Sequence, residues 1–120
     1  MHDVIVIGAG PAGLAAADYA LHQHLNTLMI APDLAGKAVY RLQLPWLAER
    51  EYISGEETVA ELRRRLLTSP DIKRYLDTVE QVFIHDHAFQ VITAEGGAAR
   101  GRSIIVANGV RPRSLGVPGE

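Results

Sequence analysis

Gly8, Gly10 and Gly13 fall within the run Gly8-Ala9-Gly10-Pro11-Ala12-Gly13, a GxGxxG spacing directly behind the β-branched stretch Val4-Ile5-Val6-Ile7. Glycines so spaced suit one task in particular, the holding of a diphosphate by main chain. Gly8 permits a tight turn, Gly10 lets the backbone approach an anion with no Cβ in the way, and Gly13 allows a helix to pack closely on a strand. Pro11 fits the first turn of that helix, where its missing N–H would have no partner anyway. The N–H groups at the helix start, that of Ala12 among them, and the positive end of the macrodipole then face the anion. A glycine-rich turn without a ligand is the plainer reading, and the strand before and the helix after weigh against it.

A dinucleotide also needs an acceptor for its ribose hydroxyls, which ordinarily ends the second strand about 20 residues past the glycines. Ala31 holds that place, and Asp33 follows two residues later, across Pro32. Asp33 reaches the ribose if the chain turns back after Pro32; otherwise it is an exposed turn aspartate. Arg63-Arg64-Arg65 would fan around a helix and form a solvated face rather than converge on a phosphate. His85 and His87 have the spacing of one strand face, but no third metal ligand lies near them in sequence. His22 and His24, two apart near a helix end, do not face each other. Trp46 packs over a loop or over a flat cofactor ring. The chain has no cysteine, hence no disulfide, thiolate metal site or thiol nucleophile of its own. No Ser-His-Asp set or paired carboxylates stand out, so no catalytic residue and no metal ligand is assigned. Chemistry here falls to a cofactor.

Such a site needs a scaffold, and 120 residues with 48% hydrophobic and 22% charged content suffice for one soluble domain with one core. The formal net charge of −2 argues against binding nucleic acid or anionic lipid through bulk electrostatics. The alanine-rich stretch Ala12 to Ala20 is broken by Asp18 and is too short to cross a bilayer. Met1 to Ile7 offers neither a basic n-region nor a long h-region, so a cytoplasmic location is expected.

Val4 to Ile7 reads as a central strand covered on both faces, and Leu14 to His22 as the helix behind the turn. Thr27 to Ile30 is a second strand, parallel to the first through a right-handed crossover. Asp33 to Ser54 shows no clean periodicity and reads as a long loop. Ser54 and Glu57 suit a capping box for a helix from about Glu56 to Thr68, stopped by Ser69-Pro70. Ile72 to Leu76 is expected as a third parallel strand. Val79 to Ile84, Phe89 to Thr93 and Ala98 to Arg102 read as short antiparallel strands, with turns at Asp86-His87 and Gly96-Gly97. Ser103 to Ala107 is expected as a last buried strand. The expectation is an α/β, Rossmann-like domain over residues 1–111: a central parallel sheet with helices and an inserted antiparallel β-meander. Residues 112–120, rich in Pro and Gly, form a linker-like tail.

The run from Asp3 through Leu14, the later Ile104-Ile105-Val106-Ala107-Asn108-Gly109 and the ending Leu115-Gly116-Val117-Pro118-Gly119-Glu120 together resemble the FAD-binding domain of thioredoxin-reductase-like pyridine nucleotide-disulfide oxidoreductases. The resemblance covers the chain in order. It implies FAD as the cofactor, with Gly36-Lys37 where the family often has Gly-Gln beside the flavin and diphosphate. It also implies that the backbone of Val79 meets the adenine. Ala107-Asn108-Gly109 matches the Ala-Thr-Gly segment near the cofactor, with Asn108 in place of Thr. In the relatives an NAD(P)H domain with a redox-active cysteine pair follows, and the chain then returns to add a strand, a helix and a further flavin contact. None of these lies in the 120 residues, so NAD(P)H would be met only through a missing domain or partner. The chain is thus expected as an excised domain or as a natural short protein completed by a homo-oligomer or a partner chain. A non-catalytic dinucleotide-binding subunit and an apo scaffold are the alternatives.

Overall fold

The computed structural model describes residues 1–34, 55–110 and 113–118. In chain order these give β1 (His2–Ile7), α1 (Pro11–His22), β2 (Thr27–Ile30), α2 (Gly55–Thr68), β3 (Ile72–Tyr75), β4 (Val79–His85), β5 (Ala88–Thr93) and β6 (Ala98–Val106). All six strands join one sheet in the order β3-β2-β1-β6-β5-β4. β1 is central and parallel to both β2 and β6, β3 is parallel to β2, and the β4-β5 and β5-β6 pairs are antiparallel. The mixed α/β architecture is therefore the expected one, with β1 covered on both sides.

Alternation along the central strands sorts the core into two layers. Val4 and Val6 of β1 and Met29 of β2 pack with Leu14, Ala17 and Ala20 of α1 and with Val59 and Leu66 of α2. Ile5, Leu28 and Ile30 point the other way and meet Val91 of β5, with Val79, Ala99 and Ile104 packed around them. In a flat sheet β5 would lie three strand spacings from β2, roughly 14 Å. Contact between their side chains requires the meander to curl back over the parallel strands. The molecule thus has three layers: helices, parallel strands and folded-over meander.

The bend is made inside β6. Residues 98–101 pair with β5, whereas Ser103 to Val106 pair with β1 alone among the described strands. Gly101 pairs with both His2 and Phe89, and a Cβ on it would stand 2.8 Å from Cγ1 of Ile5. Glycine lets the strand press against the core at the point where it changes partners.

Two expectations need correction. Ala98 to Arg102 and Ser103 to Ala107 are not two strands but one nine-residue strand, because the pairing passes through Gly101 without a break. Nor is the second half a buried run: Ile105 and Val106 are 39% and 65% exposed, in a stretch that pairs on one side only among the described strands.

Candidate functional site

The turn after β1 is built from the backbone outward. Gly8 N–H donates to the Ile30 carbonyl at 2.9 Å, and Ala107 N–H donates to the Ile7 carbonyl at 2.8 Å. These bonds tie the turn to the ends of β2 and β6. Gly8 has a φ of +107°, and a Cβ there would run into the Ala107 carbonyl. Only glycine meets both conditions comfortably. At Gly13 a Cβ would collide with the Gly8 carbonyl, so α1 can start this close to the strand only with glycine at that place.

Gly10 differs from both. It is the N-cap of α1, and among the described residues nothing lies within 4 Å of where its Cβ would be. Packing among the described residues therefore gives no reason for glycine at this position, whereas an incoming ligand would. α1 has no side-chain cap and no acidic residue in its first turn, while α2 carries Glu56 and Glu57 in its own. Leu14 N–H reaches the Gly10 carbonyl at 2.9 Å; the N–H groups of Ala12 and Gly13 precede the first intrahelical bond and have no partner within the helix. Pro11 and Ala12 are exposed. The arrangement offers an anion two directed donors and the positive end of a helix, worth about half a charge.

The remaining candidates fall around this turn to different degrees. Ala107 and Asn108 form its wall, and the Ala107 methyl is 3.6 Å from the Cβ position of Gly13. Gly109 follows, exposed and with a φ of +64°. Ala31 is buried in the helix-side core and donates its N–H to the Tyr75 carbonyl at 3.1 Å; its side chain offers a ligand nothing polar. Asp33 is exposed beyond the bend at Pro32. Val79 opens β4 at an irregularity in the β4-β5 pairing and is half-buried against the meander-side core. Gly36, Lys37 and Trp46 lie outside the described residues.

The lesser candidates are absorbed by ordinary structure. Arg64 and Arg65 both pair with Glu61, and Arg65 also reaches Asp18 at 3.5 Å. Asp86 and His87 have φ of 50° and 57°, the left-handed pair of a two-residue hairpin turn. Nε2 of His85 lies 3.2 Å from the Asp86 carboxylate. Among the described residues no three potential metal ligands converge.

Sequence reasoning missed Asp77. Its carboxylate accepts the N–H groups of Thr78 at 2.7 Å and Glu95 at 3.1 Å. The Thr93 hydroxyl, with these two N–H groups, holds the acid below its ordinary pKa of 3.8. That hydroxyl in turn accepts the Gly97 N–H at 2.9 Å, and the Thr78 carbonyl accepts the Ala94 N–H. Asp77 thus clasps the entry of the meander to its last turn. An Asp beside a turn is a legible signal for the bond to Thr78, but Glu95 lies 18 residues away.

A β-strand, a glycine turn, an uncapped helix and a return strand walling the turn define a Rossmann-like α/β protein with an anion-receptive turn at the strand ends. The pyridine nucleotide-disulphide oxidoreductase family matches residues 2–120, and the chain belongs to it. It is 35% identical over 122 residues to the bifunctional thioredoxin reductase/thioredoxin of Mycobacterium leprae, covering 100% of this chain and 26% of that protein. Against the thioredoxin reductase of Listeria innocua the identity is 33% over 132 residues, covering 100% and 37%. The fold superposes on the Lactococcus lactis thioredoxin reductase crystal structure with a TM-score of 0.82 at 27% identity, covering 100% of this chain and 39% of that one. The chain therefore spans between about a quarter and two fifths of the relatives it matches. The resemblance read from the glycine run and the two later segments agrees with all of these.

Proposed function

We propose that the chain is the FAD-binding part of a thioredoxin-reductase-like system that passes electrons from NAD(P)H through a flavin to an acceptor. The observation that carries this reading is the space at Gly10 that no described residue fills, in front of a helix start with neither side-chain cap nor acid. Family membership supports a flavin as the occupant, and the residues present fit a dinucleotide diphosphate.

In this reading Gly8, Gly10 and Gly13 shape the cradle, and the Ala12 and Gly13 N–H groups hold the diphosphate. Ala107 and Asn108 wall it, and Gly36, Lys37 and Gly109 belong near the flavin end. Asp33 serves the ribose, because buried Ala31 offers no acceptor beyond its backbone. The backbone at Val79 meets the adenine. When bound, FAD supplies the two-electron chemistry for which the chain has no residues of its own. NAD(P)H and the acceptor are met by another domain or a partner chain, in a cytoplasmic setting. Among the described residues no helix is long and apolar enough to cross a membrane.

The test is titration of the chain with FAD and with NAD(P)H, followed by flavin fluorescence and calorimetry, for the native sequence and for Gly10→Val. Saturable FAD binding that Gly10→Val removes supports the reading. Absence of saturable binding by any dinucleotide sinks it. The exposed Ile105 and Val106 favour a second component to the same reading, in which another chain or a second copy completes the sheet beyond β6.

A further inference from the structure

The sequence contains two asparagines, Asn26 and Asn108. Both are exposed, but only the first is held in place. Its side-chain oxygen lies 2.9 Å from Nδ1 of His2, and its N–H donates to the Asp3 carboxylate at 3.0 Å. The residue after it, Thr27, is fully buried in β2 and pairs with Val4. A branched side chain and a strand thus enclose the backbone nitrogen that follows Asn26.

Asn108 has the opposite surroundings. It follows the end of β6 at Val106, in backbone without regular structure. Among the described residues its side chain forms no hydrogen bond, and neither does the N–H of Gly109. Gly109 is exposed with a φ of +64°, and no described residue lies within 4 Å of its Cβ position. A glycine there has no side chain to shield its nitrogen, and it has the backbone freedom to bring that nitrogen onto the preceding amide. Asparagine side chains are thermolabile through this attack.

We propose that Asn108-Gly109 is a self-modification site, at which the chain converts an amide to a carboxylate without an enzyme. The Gly109 nitrogen attacks Cγ of Asn108: the N–Cγ bond forms, the bond from Cγ to the side-chain nitrogen breaks, and ammonia leaves with the proton that Gly109 gives up. Water then opens the resulting succinimide at either carbonyl, leaving aspartate or isoaspartate at position 108. Nothing is oxidised or reduced, and water is the only reagent. The consequence for ligand binding rests on the reading of the glycine turn as a diphosphate cradle. The Asn108 nitrogen lies 3.0 Å from the Cβ position of Gly8, so the new negative charge arises in the wall of that cradle, where it repels a diphosphate. Isoaspartate also lengthens the main chain there by a methylene. The flavin-free chain therefore loses affinity as it ages.

Incubation of the flavin-free chain in mildly alkaline buffer, followed by peptide mass spectrometry and FAD titration, tests this. The mass gain of amide-to-acid conversion is expected at Asn108, with isoaspartate among the products, and not at Asn26. Gly109→Ala should slow it about tenfold or more. Fully converted chain and Asn108→Asp should each bind FAD about tenfold or more weakly than fresh chain, with circular dichroism reporting whether the fold is kept. Asn108→Thr should hold its own starting affinity through the same incubation. Absence of conversion at Asn108, or equal conversion at Asn26, overturns the site. Undiminished affinity after full conversion, a loss that comes only with unfolding, or an equal decline in Asn108→Thr overturns the consequence for binding. If fresh chain binds no FAD, the flavin reading fails separately, and the mass measurement still decides the modification.

Discussion

At the scale of single residues, the three glycines of the motif are not equivalent, and that difference can be measured. At Gly8 and Gly13 an added Cβ meets backbone carbonyls, and Gly8 is also in a left-handed conformation. Gly13→Ala should therefore cost about 1–3 kcal/mol of stability, seen as a lowered denaturation midpoint. Gly10→Val should lower that midpoint less than Gly13→Ala, by the modest cost of a β-branched N-cap, and abolish FAD binding, because no described residue lies within 4 Å of its Cβ position. Asp77 contributes to the acid limb of stability. Its folded-state pKa is depressed below 3.8, so its contribution is complete above the unfolded value and is lost as the pH falls toward the folded one. Asp77→Asn should therefore lower stability at neutral pH and flatten its decline in acid, as thermal melts across an acid pH series would show.

At the scale of elements, the decisive strand is β6, and its decisive residue is Gly101. Gly101→Val should press on Ile5 and destabilise the domain by about 1–3 kcal/mol. Ile5→Ala in the same chain should recover part of that loss, and a double-mutant cycle on urea denaturation would reveal the coupling. Val91→Ala should cost about 2 kcal/mol, because Val91 pins the meander to the parallel layer. What the sequence reveals and what it hides follows the same division. Val4 to Ile7, the glycine turn and the helix behind it are legible because apolar runs, GxGxxG and Pro11 are local patterns. Gly101 escapes notice because its reason is a side chain 96 positions earlier in sequence. The exposure of Ile105 and Val106 is equally hidden, since a β-branched run looks buried whether or not a neighbour exists to cover it. The surroundings of Asp33 are hidden for a similar reason: an aspartate two residues past a strand end has the same residue type whether it meets a ribose or water.

At the scale of the whole molecule, the two edges of the helix-side layer differ. β3 carries Lys73 and Arg74, charges that discourage edge pairing. The second half of β6 carries Ile105 and Val106, both exposed. Substituting Lys for Ile105 should shift the chain toward monomer in sedimentation measurements with little loss of thermal stability, because the site is already wet. If the native chain is monomeric throughout a broad concentration series, completion of the sheet by a second copy is excluded and a different partner remains.

The wall of the glycine turn comes from Ala107, and the turn itself from Gly8. A growing chain emerging from a ribosome thus presents β1 and α1 early, but cannot finish the cradle until nearly all of these residues have been made. Pairing β1 with β6 also closes a very long loop, a step that is entropically costly and characteristically slow. Flavin capture should accordingly report the last event of folding rather than the first, and its rate after dilution from urea should match the slowest phase of structure formation.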